Sequence, residues 1–170
     1  MIVYFLHLPF IKFVEFVELK NTLGPWLGKT SKMIGCLIND TFLDNGIDLT
    51  REQWVILIKL HDKDGLMQNE LAFVTERDKT SLTRLINTME RKDLVRRKRA
   101  NIDKRVKLIY LTDKGKSNYK NAMPIMKKTI QKLQAGLDQN EIKNTIHTLQ
   151  KLQKNLFNLS AQCGANQPFP

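Results

Sequence analysis

The spacing of apolar side chains changes abruptly within residues 79–111. Over residues 79–92 apolar side chains recur at intervals of three and four, which predicts an amphipathic helix. Two strand-like runs follow, residues 94–99 and 106–111, and the largely polar stretch between them predicts the turn of a β-hairpin. A helix that passes directly into a hairpin constrains the fold more than any other feature of this chain.

Two helices are predicted before this unit. The first covers residues 22–43 and ends near Gly46, which tolerates the left-handed conformation that closes a helix. The second begins after Thr50, because Thr50 and Gln53 have the spacing of a capping box.

A short helix over residues 69–74 and a turn over residues 75–78 complete the pattern. Asp78 is a favourable N-cap for the amphipathic helix that begins at Lys79. The order of helix, turn, helix and hairpin predicts a mostly α-helical winged helix-turn-helix fold, in which the hairpin is the wing.

Long helices are predicted over residues 112–136 and 138–159, with apolar residues at intervals of three and four. These apolar stripes are wider than a small domain needs for its own core, so they indicate a helical partner. The simplest partner is a second copy of the same chain, which predicts a homodimer formed by the N- and C-terminal helices.

The charge is both large and concentrated. The chain has 28 Lys and Arg against 17 Asp and Glu, a formal net charge of +11. Nine basic residues lie between Arg91 and Lys107, where the acids are Asp93 and Asp103. Such a density of cations favours a polyanionic partner, either nucleic acid or an acidic membrane surface.

The second helix of a helix-turn-helix presents its exposed N-terminal face to the DNA major groove. Hydroxyl, amide and cationic side chains there suit base edges and phosphates. The predicted contacts on this helix are Lys79, Thr80, Ser81, Thr83, Arg84 and Asn87. The predicted contacts on the wing are Arg99, Asp103, Lys104 and Arg105. Arg105 is expected to enter the minor groove, and Asp103 is expected to orient it.

Several motifs together resemble the multiple antibiotic resistance regulator (MarR) family over residues 22–159. They are Leu71-Ala72, Lys79-Thr80-Ser81-Leu82-Thr83-Arg84-Leu85, Met89-Glu90-Arg91-Lys92-Asp93-Leu94-Val95-Arg96-Arg97, Asp103-Lys104-Arg105 and Leu111-Thr112-Asp113-Lys114-Gly115. The resemblance implies a winged-helix homodimer that binds pseudo-palindromic promoter DNA, usually as a repressor. It further implies release by a small phenolic or aromatic ligand, or by thiol oxidation. Asp93 stands where the family usually has glycine, and the apolar stretch before residue 20 is longer than the family requires.

The resemblance places a ligand pocket between the first two helices and the start of the long helix. The candidate lining residues are Trp26, Met33, Trp54 and Ile58. A thiol-based redox sensor is an alternative, with Cys36 as the reactive group. Because Cys36 is surrounded by Ile34, Leu37 and Ile38, a buried and unreactive cysteine is expected.

The predicted organisation has four parts. Residues 1–21 form an apolar extension, residues 22–49 and 112–159 the dimerisation region, residues 50–111 the DNA-binding region and residues 160–170 a loose tail.

The cysteines, the histidines and the apolar start of the chain bear on metal binding, catalysis and location. The three histidines and two cysteines match no metal-ligand spacing, so no metal, cofactor or catalytic site is expected. The apolar start lacks the basic region and cleavage site of a signal peptide, and a reduced cytoplasmic protein outside the membrane is expected. Two alternatives stay open: an architectural DNA-binding protein without sequence preference, and a membrane-associated protein anchored by residues 1–16.

Overall fold

The computed structural model describes residues 21–100, 103, 104 and 106–162, with side chains described as far as Leu159. Residues 1–20 of the predicted extension, half of the wing turn and the end of the tail therefore lie outside the described residues. The elements are α1 (Leu23–Asp44), α2 (Arg51–Asp62), β1 (Leu66–Met67), α3 (Gln68–Val74), α4 (Lys79–Arg91), β2 (Val95–Arg99), β3 (Lys107–Leu111), α5 (Asp113–Leu133) and α6 (Gln139–Gln162). This order confirms the predicted winged helix-turn-helix fold.

The chain divides between Gly35 and Cys36 into two compact units. Residues 21–35 of the first unit contain the first half of α1, and most of their side chains are exposed. The second unit contains the rest of α1 and all later elements.

Side-chain caps begin three of the helices, at the predicted caps Thr50 and Asp78 and at Thr112, which was not predicted as a cap from the sequence. The amide of Gln53 donates to Thr50 Oγ1 at 3.3 Å, and the Thr50 amide donates back to Gln53 Oε1 at 3.1 Å. At α4, the Ser81 amide donates to Asp78 Oδ1 at 2.8 Å. At α5, the Gly115 amide donates to Thr112 Oγ1 at 3.0 Å. Each cap satisfies an amide that the first turn of a helix would otherwise leave without a partner.

The sheet has three antiparallel strands in the order β1-β3-β2. The β2–β3 pair forms the wing and places Val95 opposite Leu111. The β1 strand, which pairs Leu66 with Ile109, is absent from the sequence prediction because two residues show no periodicity. The loop before β1 is fixed on β3, since the Leu111 amide donates to Asp64 Oδ1 at 2.9 Å.

One apolar core joins the helix-turn-helix, the sheet and the middle of α5. Its fully buried side chains include Phe42, Ile56, Leu57, Leu60, Leu71, Leu82, Ile86, Met89 and Ile109. From α5, Ala122 and Met126 are buried in the same cluster. Burial of these side chains fixes the position of α4 and of the wing relative to α2 and α5.

The junction of α4, β2 and α5 explains two features of the sequence motifs. Asp93 has φ +56°, a left-handed conformation that glycine would adopt without strain. The Thr112 hydroxyl donates to the Asp93 carbonyl, and the Thr112 amide donates to Leu94 O at 3.2 Å. A Cβ on Gly115 would lie 2.0 Å from that same Leu94 oxygen, so the first turn of α5 requires glycine there.

The end of α5 and the described part of α6 leave apolar side chains uncovered. None of the described α6 side chains is buried. Ile130, Leu133, Ile146 and Leu156 are each about half exposed, at 46%, 46%, 51% and 54%. The α6 helix extends to Gln162, so the first residues of the predicted loose tail are helical.

The expectation that Cys36 is buried was wrong, because its side chain is exposed. In α1, Ile38 and Phe42 face the core, and Cys36 lies on the opposite side of the helix. No helix in the described part of the chain is long and apolar enough to cross a bilayer.

Candidate nucleic-acid interface

The α3–α4 turn is held by its own hydrogen bonds, and they fix how α4 leaves the core. The Arg77 amide donates to Ala72 O at 3.0 Å, and the Thr75 hydroxyl donates to Leu71 O at 2.6 Å. Glu76, between them, has φ +51°. On α4, the buried face consists of Leu82, Ile86 and Met89. The opposite face is therefore left to solvent or to a partner.

The predicted contact residues of α4 differ in how far they are exposed to solvent. Lys79, Thr80, Arg84 and Asn87 are exposed, whereas Ser81 and Thr83 are partly buried. The structure therefore brings four of the six predicted side chains to the open surface of one helix. Their contact with DNA stays a prediction.

Thr83 is engaged within the protein. Its hydroxyl donates to Lys79 O at 2.7 Å and accepts a hydrogen bond from Gln68 Nε2, also at 2.7 Å. The Gln68 amide thus joins the start of α3 to the first turns of α4. Gln68 was not among the residues predicted from the sequence, because a bond across 15 residues between two helices has no signal in local periodicity.

The wing strands carry a dense set of cations. Arg96, Lys98, Arg99 and Lys107 are exposed, and the strand register places Arg99 opposite Lys107. Lys98 is stabilised over the Tyr110 ring, with its Nζ 5.4 Å from the ring centroid. Like charges opposite each other destabilise a strand pair, so this pairing favours an anion at the wing.

Of the predicted residues at the wing turn, Asp103 and Lys104 are exposed. Arg105 lies outside the described residues, so its insertion into the minor groove and its orientation by Asp103 stay predictions.

Among the described basic residues of this region, Lys92 and Arg97 form ion pairs within the protein instead. Lys92 pairs with Asp48 at 2.6 Å and connects the end of α4 to the loop before α2. Arg97 forms an ion pair with Glu90 and has a side chain that is 17% exposed. From the sequence all nine basic residues were equal candidates for DNA contact, because charge density does not show which cations have an internal partner.

The predicted ligand-pocket residues are placed as follows. Trp54 is 5% exposed and stacks on Tyr119 with ring centroids 5.4 Å apart, and Ile58 packs against the same core. In the first unit, Trp26 and Met33 are 62% and 61% exposed. A ligand role for these four residues stays a prediction.

The family comparison matches the region that contains this surface. The MarR family model matches residues 49–107, which include α2, α3, α4 and β2 and end at the first residue of β3. A curated relative, the uncharacterized HTH-type transcriptional regulator YybA of Bacillus subtilis (strain 168), is 28% identical over 93 residues. That match covers 55% of this chain and 61% of YybA, so the chain spans about three fifths of the relative's length.

Two solved structures are similar over most of the chain. The crystal structure of the S. aureus MepR–DNA complex is 26% identical with a TM-score of 0.73, and the match covers 79% of this chain and 98% of that chain. The transcriptional regulator SlyA is 26% identical with a TM-score of 0.70, and the match covers 78% of this chain and 92% of that chain.

Proposed function

We propose that this chain is a transcriptional regulator that binds double-stranded DNA, because the MarR family model matches its winged helix-turn-helix at residues 49–107. It binds a short inverted-repeat operator as a homodimer and acts as a repressor. The observation that carries the proposal is the exposed polar face of α4, with Lys79, Thr80, Arg84 and Asn87, beside a wing rich in exposed cations. The structural similarity to MepR, which was solved with DNA, supports the same reading.

Each part of this surface has a distinct role in the proposal. The α4 side chains enter the major groove, where Arg84 and Asn87 contact base edges. The wing cations contact phosphates and fix the position of the protein without reading sequence. Affinity will therefore fall with salt, whereas sequence preference will depend on α4.

Selection from a randomised duplex pool at several salt concentrations tests the proposal, with sequencing of the retained DNA. We expect enrichment of one inverted repeat with half-site centres about 10 bp apart. Arg84→Ala should weaken that enrichment, and Lys127→Ala serves as the control, because it removes an exposed cation on α5, outside the winged helix. Tight retention without an enriched motif would instead indicate an architectural DNA-binding protein. No retention at low salt would refute DNA binding altogether.

The homodimer is proposed from the uncovered apolar residues of α5 and α6. Ile130, Ile146 and Leu156 are about half exposed in the single chain, and a helix that buries none of its described side chains has little stability by itself. A second copy would cover these residues and would place two α4 helices for the two half-sites.

Analytical ultracentrifugation tests the dimer. Leu156→Lys places a charge on the apolar side of α6 and should shift the protein toward monomer. Asn158→Lys adds the same charge about 200° further around the helix and should leave the dimer intact. A wild-type protein that sediments as a monomer at micromolar concentration, or equal effects of both substitutions, would contradict this interface.

The proposal includes release of the operator by a small aromatic effector. Trp26 is largely exposed and provides a fluorescent reporter for such a ligand. Salicylate is a suitable phenolic probe: it should quench the fluorescence of the wild-type protein and lower operator retention, and Trp26→Phe should reduce the quenching. Unchanged retention at saturating salicylate would remove phenolic acids from the candidate effectors.

A further inference from the structure

Arg97 is held against α4 by several hydrogen bonds. Its backbone amide donates to Glu90 Oε1 at 3.2 Å, and its guanidinium donates to Glu90 Oε2. The strand register pairs Arg97 with the buried Ile109, which places its side chain on the face of the sheet that packs against α4. The Arg97 guanidinium therefore cannot contact DNA unless its ion pair with Glu90 breaks.

The same guanidinium reaches one further group. Its second terminal nitrogen, Nη2, donates to Asn87 Oδ1 at 2.8 Å. Because arginine has only donors, the amide atom that faces it must be the oxygen, so the chemistry fixes the orientation of the Asn87 amide. The Asn87 side chain is exposed on α4, and its bond with Arg97 uses Oδ1, which leaves the Nδ2 group available to a partner.

We propose that Arg97 fixes the Asn87 amide so that only its NH2 group faces the major groove, which makes guanine the base that Asn87 selects. This inference rests on the proposed operator binding by α4. An asparagine that is free to turn reads adenine with both ends of its amide, accepting from N6 and donating to N7. Because Arg97 holds Oδ1, the amide keeps one orientation, in which Asn87 approaches a base as a donor through Nδ2.

A donor-only group distinguishes the bases by their groove edges. Guanine presents two neighbouring acceptors, O6 and N7, and no donor of its own on that edge. Adenine presents its N6 amino group beside N7, so a second NH2 group meets a donor. Arg97 is thus a positioning residue for base recognition and not a phosphate contact.

Duplex selection with four proteins tests this: the wild type, Asn87→Ala, Arg97→Met and Glu90→Gln. Asn87→Ala identifies the half-site position that this side chain reads, where we expect guanine in the wild type and a loss of about fivefold or more in its enrichment. Arg97→Met removes the donor and frees the amide, so the ratio of guanine to adenine at that position should fall by at least about fivefold.

Glu90→Gln is the matched control. It also removes the ion pair, and the single Gln oxygen can still accept from the Arg97 guanidinium although the bond from the Arg97 backbone amide is lost, so Arg97 should stay on Asn87. A merely structural role of the ion pair predicts that both substitutions change the selected motif equally. If Arg97 fixes the amide, only Arg97→Met changes the selected motif. The salt dependence of DNA binding by Arg97→Met then stays that of the wild type. Thermal denaturation of both variants verifies that they are folded.

Three results would overturn the inference. Adenine at the Asn87-dependent position of the wild type would show that the amide is free to turn. An unchanged base ratio in Arg97→Met would show that Arg97 does not restrict it, and an unchanged motif in Asn87→Ala would show that Asn87 reads no base. Failure of the proposed function is distinguishable, because the wild-type protein alone would then enrich no motif before any variant is compared.

Discussion

Gly115→Ala is the substitution for which the structure predicts the largest local effect. The new Cβ would lie 2.0 Å from Leu94 O and 3.0 Å from Leu94 C, both backbone atoms that cannot rotate away. Because Cβ contacts below 3.0 Å essentially do not occur, the first turn of α5 and the start of β2 must separate by about 1 Å.

The free-energy cost follows from what that separation disturbs. Overpacking of this kind costs about 1–3 kcal/mol, and loss of the hydrogen bond from the Thr112 amide to Leu94 O adds about 1 kcal/mol. Weakening of the Thr112 cap adds about 1 kcal/mol more. Alanine regains about 1 kcal/mol over glycine within a helix. The net expectation is a loss of about 2–4 kcal/mol from the free energy of unfolding.

Urea denaturation, followed by circular dichroism at one fixed protein concentration, measures this change. Gly28→Ala is the control: the same chemical change inside α1, at a position with no described atom within 4 Å of the new Cβ. It should stabilise the protein by about 0.5–1 kcal/mol. Equal effects of the two substitutions would refute the steric argument at Gly115.

Three further predictions concern α4 and the wing. Asp93→Gly should raise the free energy of unfolding by up to about 1 kcal/mol, because glycine adopts φ +56° without strain; a decrease in a thermal melt would contradict this. Asp78→Ala should cost about 1 kcal/mol in urea denaturation by removing the α4 N-cap, and an unchanged midpoint would show that the cap contributes nothing. Arg105→Ala should weaken binding to all sequences and reduce the slope of log affinity against log salt concentration by about 1. Arg84→Ala should weaken binding and also reduce sequence preference. Equal losses of affinity that do not depend on salt, in a filter-binding titration, would count against both roles.

The local structure around the site was predictable from the sequence. The caps at Thr50, Asp78 and Thr112, the turn before α4 and the left-handed Asp93 each depend on a few neighbouring residues, so their signals lie within single short segments. The change from helical to strand periodicity likewise predicted α4 and the wing, because one buried face imposes each period. These features determined the winged helix-turn-helix fold.

Only the tertiary structure decided which polar groups face outward without internal partners. Arg97 belongs to the same basic run as Arg96 and Lys98, yet packing against α4 gives it Glu90 and Asn87 as partners. The bond between Gln68 and Thr83 also depends on how α3 and α4 pack together. A sequence fixes which groups can donate and accept hydrogen bonds, but their pairing depends on distances between elements that the shared apolar core sets.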